Sequence, residues 1–237
     1  MNVLFLDAYN LIYRARSGFT KGDYSVIYNF FRGVRPLVEK FSPDKVYFVL
    51  EGNPKFRSVL SEGNYKANRT SAGDNFHRQK ATIINMVSSM MPFAVVRHPD
   101  LECDDTIATL AFKHHNDGDS CTIVSSDSDF IQLISERVTL WNPVRKKVID
   151  PWPVDYVTWK SLRGDKSDNV SGIRGVGDKT AFKLASEQSL LEDFLSKKDH
   201  REIFESAYKQ IKLKKIDVND NSIELCDYNF NENMLLN

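Results

Sequence analysis

Residues 93–129 read FAVVRHPDLECDDTIATLAFKHHNDGDSCTIVSSDSD, and their order decides the fold. The apolar run Phe93 to Val96 predicts a strand. Glu102, Asp104 and Asp105 follow it and open an amphipathic stretch over 103–117 that predicts a helix. A second apolar run, Thr122 to Val124, is followed by Asp127 and Asp129 at the head of another helical stretch over 127–135. Further strands are expected at Val3 to Leu6, Val46 to Leu50 and Val138 to Trp141, with helices over 24–40 and 74–91. Strands rich in Val, Ile and Phe, without strict alternation, predict an α/β fold: a mostly parallel sheet covered by helices on both faces. Such sheets bind ligands beyond the carboxyl ends of their strands.

The texture changes after Asp150. Pro151-Trp152-Pro153 punctuates the chain, and a glycine knot follows, Gly172-Ile173-Arg174-Gly175-Val176-Gly177. Helical stretches are expected near 189–197 and 199–213, with a last strand within 223–230. Residues 1–150 thus read as the α/β core and 151–237 as a helical lobe.

Composition excludes the extreme classes. A chain of 237 residues with 41% hydrophobic and 27% charged residues is globular and buries an ample core. The longest uncharged run, Ala81 to Val96, is interrupted by Pro92 and falls short of the ~20 residues of a spanning helix, so no membrane is expected. Asp7 precludes a secretory leader, and Cys103, Cys121 and Cys226 show no metal-ligand spacing or even pairing, so a reducing cytoplasm is expected.

The acids carry the strongest signal. Asp7 ends the first strand, Glu51 ends the second, Glu102, Asp104 and Asp105 follow the third, and Asp127 and Asp129 follow the fourth. Parallel neighbours would bring all of them to one edge. Asp165 and Asp168 of the lobe make nine, more than a proton-transfer pair requires. Helix capping accounts for Asp104, Asp105 or Asp127 singly, but not for Asp7 and Glu51 at strand ends, nor for the set. Crowded carboxylates stay ionised only beside cations. Oxygen ligands without His or Cys suit Mg²⁺ or Mn²⁺, and so many suit two ions about 4 Å apart, an arrangement that activates water and stabilises a leaving oxygen in phosphoryl transfer.

These residues resemble a family. Leu4-Phe5-Leu6-Asp7, Leu101-Glu102-Cys103-Asp104-Asp105, Ile123-Val124-Ser125-Ser126-Asp127-Ser128-Asp129 and the run Gly164 to Ala181 are similar to the motifs of the flap endonuclease or 5′ nuclease family, in order over residues 2–185. The resemblance implies a PIN-like core, a basic arch over about 53–90, a helix-three-turn-helix over about 160–186, and Mg²⁺-dependent cleavage of branched or nicked DNA near the 5′ end. Asp7, Glu51, Glu102 and Asp104 resemble ligands of a first ion. Asp105, Asp127, Asp129, Asp165 and Asp168 resemble the set serving a second. Glu51 departs from the family, which usually has Asp there, and its extra methylene bears on the first site. RNA–DNA primer hybrids as further substrates and a monomeric state are also implied.

Charge distribution fits a polyanionic substrate. With 32 bases against 32 acids, setting the nine site acids aside leaves an excess of nine positive charges over the rest of the surface. Residues 53–80 hold Lys55, Arg57, Lys66, Arg69, Arg78 and Lys80, interleaved with Phe56, Tyr65 and Phe76, a pattern suited to gripping phosphates and stacking bases. In the family this stretch lies in the arch. Tyr65, Lys66 and Arg69 resemble its basic motif and are expected to contact the 5′ strand, with Lys66 and Arg69 approaching the scissile phosphate. Gly172 to Gly177 falls short of an ATP-binding loop because Asp178 precedes Lys179-Thr180. Gly172, Gly175, Gly177, Lys179 and Thr180 instead suit backbone contacts to duplex phosphates, and the resemblance adds a K⁺ ion there. The five histidines form no ligand set. Two rival readings are a PIN-type ribonuclease acting on single-stranded RNA, which does not predict the glycine hairpin, and a DNA-binding module with a decayed metal site.

Overall fold

The computed structural model describes residues 1–18, 22–53, 72–216 and 223–225. They form two compact units. The first holds residues 1–53, 72–149 and the stretch after Lys214; the second holds residues 150–213.

The first unit is built on a sheet ordered β6-β5-β4-β1-β2-β3-β9 among the described residues. Its strands are β1 (Asn2–Asp7), β2 (Lys45–Val49), β3 (Ala94–Arg97), β4 (Ser120–Val124), β5 (Val138–Asn142), β6 (Lys147–Ile149) and β9 (Glu224–Leu225). The four central pairings, β3 to β2, β2 to β1, β1 to β4 and β4 to β5, are parallel, and the two outer ones are antiparallel. In β1, Leu4 and Leu6 face a core shared with α1 (Ala8–Ala15), α2 (Ser25–Phe41) and α3 (Asp74–Met90). Phe5 points the other way, stacking on Tyr47 at 5.2 Å and meeting His114 of α4 (Cys103–Asn116) edge-on. Both faces are therefore covered, which is why these strands read as unbroken apolar runs.

Two elements of the first unit are not predicted by the sequence, nor is the β-hairpin over Gly164–Asp165 and Val170–Ser171 in the second. α1 begins directly after β1, where the sequence reading left a connection, and the short hairpin strand β6 follows β5. The stretch expected as a helix over 127–135 is a 3₁₀ segment over Ser128–Leu133. The expected lobe boundary also shifts at its far end. The N–H of Lys214 donates to Asp105 Oδ1 at 2.8 Å, that of Ile216 to Thr109 Oγ1 at 3.2 Å, and β9 pairs with β3, so the chain returns to the sheet unit.

The second unit consists of α5 (Tyr156–Arg163), a small hairpin of β7 (Gly164–Asp165) and β8 (Val170–Ser171), then α6 (Asp178–Ser186), α7 (Gln188–Phe194) and α8 (Lys198–Ile211). Val157, Val170, Ala207 and Ile211 form its core, joining α5 and α8. Asp155 caps α5, accepting from the Thr158 N–H at 2.7 Å.

Candidate metal centre

Parallel pairing in register fixes where the acids stand. Asp7 lies opposite Val49 of β2, and Leu6 lies opposite Val124 of β4, so the chain leaves all three strands at one edge. Glu51, Asp127 and, after β3, the 102–105 segment emerge there. Hydrogen bonds tie these segments together. The Cys103 N–H donates to Glu51 Oε2 at 3.2 Å, and the Cys103 thiol lies 3.7 Å from Asp7 Oδ1. Ser125, fully buried at the end of β4, donates from Oγ to Asp7 Oδ2 at 2.7 Å and accepts the Asp127 N–H at 3.0 Å. Asn10 adds a second link, its Oδ1 accepting from both the N–H and the hydroxyl of Ser126.

Asp7 is buried and its donors are neutral: the Asn10 N–H, the Ser125 hydroxyl and the Cys103 thiol. Burial pushes its pKa up to about 6, with the Asp127 charge adding to the rise and the three hydrogen bonds opposing it. The bond from Asn10 makes Asp7 the N-cap of α1, so capping does explain one part of its position. The sequence reading missed this because it placed no helix there. Burial also raises the Cys103 thiol, helped by the charges of Asp7, Asp104 and Glu51. The site therefore offers a set of carboxylate oxygens, a donor set that suits a divalent cation.

The remaining acids differ in setting. Glu102 is almost fully buried at the N-cap of α4, and Asp104 is partly exposed in its first turn. Asp105 is buried, with one oxygen engaged by the Lys214 N–H. Asp127 caps the 3₁₀ segment by accepting the Asp129 N–H at 2.9 Å. In the helical unit, Asp165 and Asp168 offer carboxylate oxygens within 4.8 Å of each other. Asp165 also pairs with the buried Lys160 at 2.6 Å and accepts from Ser167. Burial alone would raise Asp165, but the Lys160 and Ser167 bonds outweigh it and hold it at about 2.

Ser125, Asn10, Cys103 and Lys160 were not singled out from sequence as site residues. Lys160 could have been, because a lysine one turn after Tyr156 and Val157 interrupts an apolar stripe of its helix. Tyr65, Lys66 and Arg69 lie outside the described residues.

The glycines divide. A Cβ on Gly172 would meet the Arg163 carbonyl oxygen at 2.1 Å, so this glycine is required by close backbone packing. Gly175 has φ +83°, and both it and Gly177 face open space beside the exposed Lys179 and Thr180 at the start of α6.

Residues 2–158 match the family model of the 5′–3′ exonuclease N-terminal resolvase-like domain, and residues 152–226 that of the 5′–3′ exonuclease C-terminal SAM fold. The chain belongs to the 5′–3′ exonuclease family. It is 33% identical over 212 residues to the thermostable DNA polymerase I of Thermus thermophilus, covering 83% of this chain and 25% of that protein. It is 32% identical over 203 residues to DNA polymerase I of Treponema pallidum, covering 76% and 20%. The chain thus spans about a quarter or less of these relatives. Among solved structures it is similar to the T5 D15 protein co-crystallised with metal ions, with a TM-score of 0.76 at 17% identity over 90% of each chain. The catalytic core of Rad2 in complex with DNA substrate gives 0.56 at 15% identity over 96% of this chain and 82% of that one. At these identities the likeness is one of fold: a mostly parallel sheet flanked by helices, followed by a helical region. Among the described residues no helix is long and apolar enough to cross a membrane.

Proposed function

We propose that this 5′–3′ exonuclease is a structure-specific, divalent-metal-dependent 5′ nuclease that hydrolyses DNA phosphodiesters at flaps, nicks and RNA–DNA primer junctions. The observation that carries the reading is the tying of Asp7, Glu51, the 102–105 segment and Asp127 into one strand edge through Cys103 and Ser125. A buried acid edge served by neutral donors is complementary to cations. Asp7, Glu51, Glu102, Asp104, Asp105, Asp127 and Asp129 are the proposed ligands from the sheet unit, and Asp165 and Asp168 those from the helical unit. Two Mg²⁺ ions, replaceable by Mn²⁺, would supply the positive charge that activates water and stabilises the leaving oxygen. The protein's part is to hold the carboxylates in place.

Gly175, Gly177, Lys179 and Thr180, exposed around the start of α6, are proposed to meet duplex phosphates, with K⁺ bound at the same turn. The sequence pattern of Tyr65, Lys66 and Arg69 supports contacts with the 5′ strand. The enzyme is proposed to act as a monomer in the cytoplasm.

The test compares a 5′-flap duplex with unstructured RNA in Mg²⁺. Flap cleavage is expected to dominate, and a strong preference for RNA would replace this reading with the ribonuclease one. Asp127→Ala with Asp129→Ala should abolish cleavage while metal-free flap binding persists. Undiminished cleavage would remove these two acids from the site.

A further inference from the structure

Two exposed large hydrophobic side chains stand out among the described residues of the helical unit: Trp152 at 37% and Phe182 at 39%. Both line one cavity of about 420 Å³, with Trp159, Asp178 and Lys179 completing its wall. Two half-exposed aromatics lining one concavity form an apolar surface that a ligand can cover.

The lining is held by mutual contacts. Trp152 rests on Trp159 at 4.7 Å and edge-on against Tyr156 at 6.0 Å. The Trp159 indole N–H donates to the Asp178 carbonyl at 3.3 Å, fixing α5 to the first turn of α6. Its other face is taken by Arg163, 4.5 Å from the ring centre. Arg163 also pairs with Asp178 at 3.2 Å, so the cavity's single acid already has a counter-charge, and exposed Lys179 gives the lining a net positive character.

Half-exposed aromatic rings with a cation at the rim suit a planar ring attached to an anion. We propose that this cavity binds an unpaired nucleobase, stacking it against Trp152 and Phe182 while Lys179 meets the adjoining phosphate. A stacked ring is read without regard to base identity, because every base presents a π face. The inference rests on the nucleic-acid reading above but adds to it, since duplex phosphates at the glycine turn require no aromatic surface. A protein side chain covering the same aromatics is the rival occupant.

Two of the three tryptophans, Trp152 and Trp159, lie in this cavity. In a Trp141→Phe background, titration with a short oligothymidylate should quench tryptophan emission, and blunt duplex of equal length should quench less. Phe182→Ala should weaken oligothymidylate binding about tenfold, within the range of one base–aromatic stack, and leave blunt-duplex binding within about twofold. Trp152→Ala should do the same and Trp152→Phe should restore binding, which separates lost stacking from damage to the fold. Equal weakening for both ligands, or none in Phe182→Ala, would overturn the nucleobase site while leaving the nuclease reading intact. Failure of the Trp141→Phe protein to bind either DNA would overturn both.

Discussion

Asp7 and Asp165 are the same residue type, both buried, and they resolve the cost of burial in opposite ways. Asp7 ends an apolar strand with neutral donors around it, and burial carries its pKa to about 6. Asp165 sits at a hairpin 2.6 Å from Lys160, and that ion pair with Ser167 outweighs burial and holds it near 2. One unit leaves an ionised acid in want of a cation; the other has a cation built in. Neutral hydrogen bonds position a carboxylate but do not cancel its charge, and only an opposite charge does both.

Removing the built-in cation should have the largest effect. Lys160→Met leaves Asp165 buried without its charge partner, and a loss of about 3 kcal/mol or more is expected in urea unfolding. A loss under about 1 kcal/mol would show that the pair is not a charge-compensating device.

The two acids should next separate by pH in metal-free protein. Asp165 has a depressed pKa, so its stabilisation is present above the ordinary value of 3.8 and is lost as pH falls toward about 2. Asp7 has a raised pKa, so the folded state keeps a proton that the unfolded chain releases, and stability falls as pH climbs from about 4 to about 6. Unfolding curves in EDTA should show both slopes, with the Asp7 slope worth on the order of 3 kcal/mol. Added Mg²⁺ should flatten the upper one.

Smaller still is the effect of loosening the neutral scaffold. Ser125→Ala removes the hydroxyl that joins Asp7 to the Asp127 backbone. Mg²⁺ affinity, measured calorimetrically, should drop about 10- to 100-fold, as for other groups that orient ligands, with recovery in Ser125→Thr. The smallest change belongs to the helical unit's open glycine: Gly177→Ala should alter stability by no more than about 0.5 kcal/mol, whereas Gly172→Ala must displace backbone and should cost more.

Much of this was legible beforehand. The apolar runs from β1 to β5 and the acids behind them predicted the parallel sheet and its acid edge, because fully buried strands and ligand-bearing strand ends leave marks in the chain itself. The capping role of Asp7 was hidden because α1 follows β1 without punctuation. That a Cβ on Gly172 would meet the Arg163 carbonyl while one on Gly177 would meet nothing was not legible, because a glycine needed for close packing and one in open space are the same letter. The return of Lys214 to Asp105 left no local signal, since the Lys214 N–H donates to the Asp105 carboxylate across more than a hundred residues.

The sequence by itself determined the order of the strands from β1 to β5 and of the longer helices between them, the residue types at each strand end, and a donor set that is almost wholly oxygen. Those features follow from hydrophobic periodicity and side-chain chemistry, which each segment carries alone. Only the tertiary structure decided which acid is left to ionise at a cost and which is neutralised. Charge state depends on burial and on the group a few ångströms away, and that neighbour is chosen by the fold.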